Sequence, residues 1–227
     1  MTSLAVEGSW REVLGRCPAW QPPSKRTVIV VPHPDDESLS TGGLIALQRQ
    51  RDVDVVVVAV SDGEAAYSDV PELGLVRTHE QERALRLLGV EARDVVRLGL
   101  PDGSVSRHVD ELAAAIVGLV DAQTLLVAPW VHDVHPDHEA CGSAAAAAAA
   151  LAGSELLSSL FWAWHHVPVE SMPLQSMVRI ELDDQLIESR VAAVLCHSSQ
   201  LAHDDGSPVL PPALLGSITR SFEAYLR

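Results

Sequence analysis

Thr27-Val-Ile-Val-Val-Pro-His33-Pro-Asp35-Asp36-Glu37 is the stretch that decides the fold. Its first half is an unbroken β-branched run, the pattern of a strand buried on both faces of a parallel sheet. Its second half sets an imidazole and adjacent carboxylates at the strand's carboxyl end. Neighbouring carboxylates resist ionising together unless positive charge lies close. A metal ion would supply that charge.

Working outward, the same strand-then-polar-turn pattern recurs. A second strand is expected over Asp54–Val60 and runs into Ser61-Asp62-Gly63-Glu64. A third, Val95–Leu100, meets Pro101-Asp102-Gly103, and a fourth, Thr124–Pro129, opens into Trp130-Val-His132-Asp133-Val-His135-Pro-Asp137-His138. Helical spacing is expected over Ser9–Leu14, Leu44–Arg51 (with Gly42-Gly43 at its start), Arg77–Leu88, Asp110–Val120, alanine-rich Glu139–Ala152 and Asp184–Cys196. Leu160–Val167 reads as a fifth strand carrying Trp162 and Trp164 on one face, and Met177–Leu182 as a sixth. The tail from Pro211 reads as a last helix. Strands alternating with helices predict an α/β protein, a Rossmann-like three-layer α/β/α sandwich with a mostly parallel sheet. With no internal repeat or linker, residues 1–227 form one domain.

His33, Asp62, Asp102 and His135 each follow the carboxyl end of an expected strand. Ligands of open α/β sheets bind outside those ends, where the strand order reverses. A dinucleotide fingerprint would place Gly-x-Gly-x-x-Gly after the first strand. The carboxylates found there would repel a pyrophosphate. A metal suits the residues better. His33 and Asp36 are three apart, as are His135 and His138, so each turn offers side chains on one side. Two N/O ligands from one turn and one from the other leave a fourth position for water, as in catalytic zinc sites. Asp35 points elsewhere and is free to contact that water. Residue type alone does not select zinc over iron or another divalent ion.

Composition narrows the partners. The net charge is −15, and a single lysine, Lys25, accompanies the arginines. An acidic chain without a basic cluster argues against nucleic acid and anionic membrane as partners. Cys17, Cys141 and Cys196 form no CxxC pair, so reduced thiols are expected. No signal pattern or bilayer-length apolar stretch is visible, which predicts a cytoplasmic protein without stable membrane insertion. A homo-oligomer stays open.

His-Pro-Asp-Asp-Glu after the first strand, with His135-Pro-Asp-His138 after the fourth, resembles the LmbE/PIG-L family of zinc-dependent deacetylases. Ser61-Asp-Gly-Glu64, Arg77-x-x-Glu80, Pro101-Asp-Gly103 and His197-Ser-Ser-Gln200 extend the resemblance over about Thr27 to Gln200. The resemblance implies His33, Asp36 and His138 as Zn2+ ligands and Asp35 as the general base. It implies His135 as acid or oxyanion stabiliser, and Arg77 and Asp102 as substrate contacts. Where one branch of the family has an oxyanion-pocket tyrosine, this chain has Asp133, so His132 and Asp133 are expected at the substrate; an ionised acid cannot take the tyrosine's role, which leaves His132, Trp130 or the metal to cover it, or a different substrate. The implied activity is removal of an N-acetyl group from a small substrate, an N-acetylglucosamine-containing conjugate in the first instance. Cleavage of a thiol conjugate or secondary-metabolite amide is the alternative within that chemistry. A non-catalytic metal-binding domain, with a closed site, is the alternative outside it.

Overall fold

The computed structural model describes residues 3–203 and 207–227. The strands are β1 (Thr27–Val31), β2 (Val55–Ala59), β3 (Val95–Arg97), β4 (Leu125–Pro129), β5 (Glu155–Ser159), β6 (Met177–Glu181) and β7 (Phe222–Leu226). The α-helices are α1 (Ser3–Leu14), α2 (Asp36–Gln50), α3 (Leu73–Leu87), α4 (Val109–Val117), α5 (Pro136–Ala152), α6 (Ala163–His166), α7 (Asp184–Val194) and α8 (Ser198–Leu201). One sheet has the order β3-β2-β1-β4-β5-β7-β6. β1 to β5 run parallel, while β7 lies antiparallel to both β5 and β6. The expected three-layer sandwich is what forms.

Alternation along the central strands builds the layers. Ile29 and Val31 of β1 pack with Leu44, Ile45, Leu85 and Leu186 on the α2, α3 and α7 side. Val28 and Val30 pack with Leu112, Ile116 and the alanines of α5 on the other. Both faces are covered, so both faces of β1 are apolar. From β1 the chain moves to β2 on one side and returns to β4 on the other. The carboxyl ends of β1 and β4 therefore flank the point where strand order reverses, the crevice where such sheets bind ligands. Among the described residues, no helix is long and apolar enough to cross a membrane.

Three expectations fail for identifiable reasons. α2 begins at Asp36, eight residues before the expected Leu44. The Gly42-Gly43 pair is not a boundary but a close contact: a Cβ on Gly42 would meet Arg190 Cγ at 2.9 Å, and one on Gly43 would meet Leu182 Cδ1 at 2.6 Å. The fifth strand is Glu155–Ser159, not Leu160–Val167. The amides of Phe161, Trp162 and Ala163 turn instead to the Asp133 carboxylate, and a short helix follows. Trp164 then enters the core against Trp10, with ring centroids 4.9 Å apart, while Trp162 faces elsewhere. The tail is not helical: after two 3-10 turns it becomes β7, whose Glu223 is buried on Arg190 of α7 at 3.2 Å.

α5 carries the second histidine motif, and its small residues let it approach the sheet. A Cβ on Gly142 would lie 2.5 Å from the carbonyl oxygen of Pro129, at the end of β4. In an ordinary helix interior, Gly→Ala stabilises by about 1 kcal/mol. Here overpacking reverses the sign: Gly142→Ala is predicted to lower unfolding stability by about 1–3 kcal/mol. Urea unfolding measures it, and an unchanged or raised midpoint would contradict the close approach.

Candidate metal centre and active site

The loop between β1 and α2 brings His33, Asp35 and Asp36 to the crevice, and the turn between β4 and α5 brings Asp133, His135, Asp137 and His138. Both turns use uncommon backbone. Asp35 caps α2 with φ of 140° and ψ of −29°. Val134, between Asp133 and His135, has φ of 68°. A β-branched residue there costs about 1–2 kcal/mol. Such outliers concentrate at functional sites. This one lets Asp133 point inward while His135 remains at the surface of the site.

His33 Nδ1 and His138 Nε2 each lie 3.3 Å from Asp36 Oδ2. Tetrahedral zinc with bonds of about 2.0–2.1 Å requires donor-to-donor distances of about 3.3–3.4 Å, so the spacing fits that ion. His138 Nε2 is buried and makes no hydrogen bond, a costly state for a polar atom unless it has another partner. The outer nitrogens explain why the inner ones are free to coordinate. His138 Nδ1 lies 2.8 Å from Asp133 Oδ2, and His33 Nε2 lies 3.2 Å from both Asp102 Oδ1 and Asp137 Oδ2. Ionised carboxylates only accept, so each outer nitrogen carries a proton, and each inner one is left to hold either a second proton or a metal ion.

A second group, His33, His135 and Asp137, is also close enough to share an ion. Its donors are already engaged. Asp137 accepts from the amides of Gly103 at 2.8 Å and Val105 at 3.1 Å, and His135 Nδ1 accepts from the Asp137 amide at 3.3 Å. Among the described residues, the first group is the one whose inner nitrogens accept from no backbone amide.

Asp35 stands apart from this set. Arg77 Nη2 donates to its Oδ2 at 3.1 Å. Burial pushes the Asp35 carboxyl up to about 6, with Arg77 opposing that rise. His135 is neutral in character: burial and the neighbouring charges of His138 and His33 hold its pKa below the usual histidine value. With Nδ1 accepting, its proton sits on Nε2. His33, Asp35, Asp36, Asp102 and His135 line a pocket of about 280 Å³, completed by Arg77 and by a wall containing Phe161 and Trp162.

Several sequence-based expectations are corrected here. Asp133 does not face a substrate: it is fully buried, and its carboxylate serves His138 and the amides of residues 161–163. His132 is exposed, packs edge-on to Trp130 and does not line the pocket. Arg77 borders the pocket but is only 3% exposed, and its Nη atoms are taken by Asp35, Pro34 O and Gly63 O. Glu80, three residues on in α3, accepts from Ser198 and Ser199 at 2.6 Å each. Asp102 does reach the rim, with one oxygen on His33 and the other on the Ala65 amide. The sequence reading missed Asp137, whose place in His-Pro-Asp-His was the available signal. It also missed the buried pair Glu37–His197, 3.0 Å apart, for which nothing local signals a partner 160 residues away.

Two carboxylate-oriented imidazoles and one carboxylate, beside a pocket at a Rossmann-like switch point, form a group that could hold a metal ion, in an arrangement suited to catalysis. The family model "PIG-L: GlcNAc-PI de-N-acetylase" matches residues 28–149, more than half of the chain, and the chain belongs to that family. It is 33% identical over 131 residues to a probable N-acetyl-alpha-D-glucosaminyl L-malate deacetylase 2 of Bacillus subtilis, a match covering 53% of this chain and 58% of that protein. It is 27% identical over 193 residues to the diacetylchitobiose deacetylase of Thermococcus kodakarensis, covering 79% and 72% of the two chains. Among solved structures, the conserved protein TT1542 of Thermus thermophilus superposes with a TM-score of 0.69 at 26% identity, over 89% of this chain and 94% of that one. The A40926 pseudoaglycone deacetylase Dbv21 shares the fold, with a TM-score of 0.71 at 21% identity over 90% and 97% of the two chains.

The charge on the candidate ligand histidines would make metal binding depend on pH. Without metal, burial disfavours charge on both, yet Asp102, Asp137 and Asp36 raise His33 well above its usual value, and Asp36 and Asp133 bring His138 to about 9. Both are then protonated at pH 7, and zinc must displace about two protons. Calorimetry in buffers of different ionisation enthalpy will show that release, and the zinc Kd will rise about a hundredfold per unit fall in pH near neutrality. Proton-neutral binding would contradict it. Asp133→Asn will weaken zinc binding by about 10- to 100-fold, since the imidazole loses its carboxylate partner. An unchanged Kd by competitive titration would show that Asp133 does not act on the metal.

Proposed function

We infer that the protein is a zinc-dependent N-deacetylase that hydrolyses the acetamide of a small N-acetylglucosamine-containing conjugate. The observation that carries this reading is the separation of roles around one pocket: a ligand group of His33, Asp36 and His138, and beside it a carboxylate, Asp35, held by Arg77 and not by the ligand histidines. Membership of the de-N-acetylase family and deacetylases among the relatives support the chemistry. A non-catalytic site would have no use for a raised carboxyl at the mouth of the ligand group.

Zinc, when bound, supplies Lewis acidity, polarising the amide carbonyl and lowering the pKa of water to about 7. The rest belongs to the chain. Asp35, buried and raised to about 6, is matched to take a proton from the attacking water near neutral pH. Arg77 fixes the direction of that carboxylate. His135, with its proton on Nε2, donates a hydrogen bond to the oxygen on which negative charge develops, and Asp35 returns the proton it took from water to the departing amine, which restores its carboxylate. Asp137 holds the His135 ring through its amide and the His33 ring through its carboxylate.

Asp35→Asn is predicted to keep one zinc per chain and to lose about 100- to 10,000-fold in kcat for acetate release from N-acetylglucosamine conjugates. Metal analysis and an acetate assay on the same samples check it. A variant with full metal and full activity would remove Asp35 from the mechanism. Chelation should abolish activity in the wild type, and zinc should restore it.

A further inference from the structure

We propose that Tyr67 is a positioning residue for the substrate: its phenol clasps the loop after β2 to the segment that follows α8, and so holds in place the pocket wall those two stretches build. This rests on the deacetylase reading and concerns how the substrate is bound, not how the amide is cleaved.

The wall has two halves that lie far apart in the chain. Ala65 and Ala66 supply one, and Val209 and Leu210 the other. Each half is anchored on its own side. The Ala65 amide donates to Asp102 Oδ2 at 3.0 Å, and the Asp102 amide donates back to Glu64 Oε1 at 2.9 Å. Leu210 is buried in a cluster with Leu39, Phe161 and Ile218, and its amide donates to Gln200 O at 2.8 Å. These anchors fix each half but do not join them. Tyr67 does. The Val209 amide donates to Tyr67 Oη at 2.7 Å, and the same hydroxyl donates to Ser207 O at 3.4 Å. The half-buried ring stacks on His203, with centroids 4.0 Å apart and planes 19° apart. His203 Nε2 in turn lies 3.6 Å from Asp69 Oδ1.

A phenol suits this place. It accepts and donates through one oxygen, and its ring has few rotamers to lose. The amide of Val209, at the edge of the pocket, obtains an acceptor that its own segment does not supply. The contacts of Tyr67 include neither a candidate metal ligand nor Asp35. Breaking them leaves the chemistry in place and frees Val209 to leave the wall. Substrate must then restore the wall as it binds, so its apparent affinity falls with the fraction of molecules that hold the closed arrangement.

Tyr67→Phe keeps the ring and removes the acceptor, and methyl N-acetylglucosaminide with the zinc-loaded protein is the test substrate. The predicted result is a KM raised about 3- to 10-fold, the weight of one hydrogen bond, with kcat changed by less than about twofold and the urea midpoint kept. Tyr67→Ala, which also removes the His203 stack, raises KM further. Hydrogen exchange reads the clasp without turnover: the Val209 amide should exchange at least about tenfold faster in Tyr67→Phe, with the amides of β1 and β4 unchanged. Calorimetry with the product, methyl glucosaminide, should show its Kd raised by the same factor as KM. An unchanged KM, a loss confined to kcat, or unaltered exchange at Val209 overturns the proposal. If the wild type releases no acetate, but Tyr67→Phe still weakens methyl glucosaminide and speeds exchange at Val209, the deacetylase reading falls and the clasp stands. If neither responds, the clasp falls.

Discussion

The contact between Asp133 and His138 is the constraint from which most of this site follows. A buried imidazole can offer a lone pair inward only if its proton is held outward, and a carboxylate at 2.8 Å holds it. A buried carboxylate must in turn be satisfied, and the amides of Phe161, Trp162 and Ala163 do so. Those amides fix where the chain leaves β5, which starts α6, sends Trp164 into the core and leaves Trp162 beside His135. One hydrogen-bond requirement thus reaches from a candidate metal ligand to the wall of the pocket. The strained backbone of Val134 is its local cost.

A second framework holds the other side of the crevice. Glu37 follows the candidate ligand Asp36 directly and is wholly buried on His197, Ser38 and Gln81. Glu80, one turn beyond Arg77 on α3, binds both serines at the start of α8. Residues that resemble catalytic motif positions are here tie points between α2, α3 and the segment after α7. Glu37 and Glu80 are each engaged through both carboxylate oxygens, and such networks rigidify a site more than they add to net stability. Arg77 belongs to both systems, since it borders the pocket and orients Asp35.

The sequence made the centre of this arrangement legible. The β-branched run of Thr27–Val31 and the later Thr124–Pro129 imply central strands, and the rule for open sheets then places His33 and His138 on one rim although a hundred residues separate them. What escaped were features whose cause is a distant partner. Leu160–Val167 has the composition of a strand, but its amides answer to Asp133. The Gly42-Gly43 pair has the form of a helix boundary, but Arg190 and Leu182 press on it. β7 carries a glutamate in a five-residue strand, tolerable because Arg190, the amides of Gly43 and Leu44 and the Tyr225 hydroxyl all meet it. Asp133 itself was read as a substrate contact since a side chain's direction depends on the φ of the residue beside it. Local pattern reports period and punctuation; it does not report which buried group must be satisfied by which other.

The central claim is that carboxylate-oriented His33 and His138, together with Asp36, hold the metal while Asp35 does not. A zinc-edge anomalous difference map from a zinc-soaked crystal tests it most directly. The predicted result is one strong peak about 2.0–2.2 Å from His33 Nδ1, Asp36 Oδ2 and His138 Nε2, with Asp133 still on His138 Nδ1 and Asp35 still on Arg77. A peak instead between His33, His135 and Asp137, or one bonded to Asp35, would contradict the assignment of ligands and base.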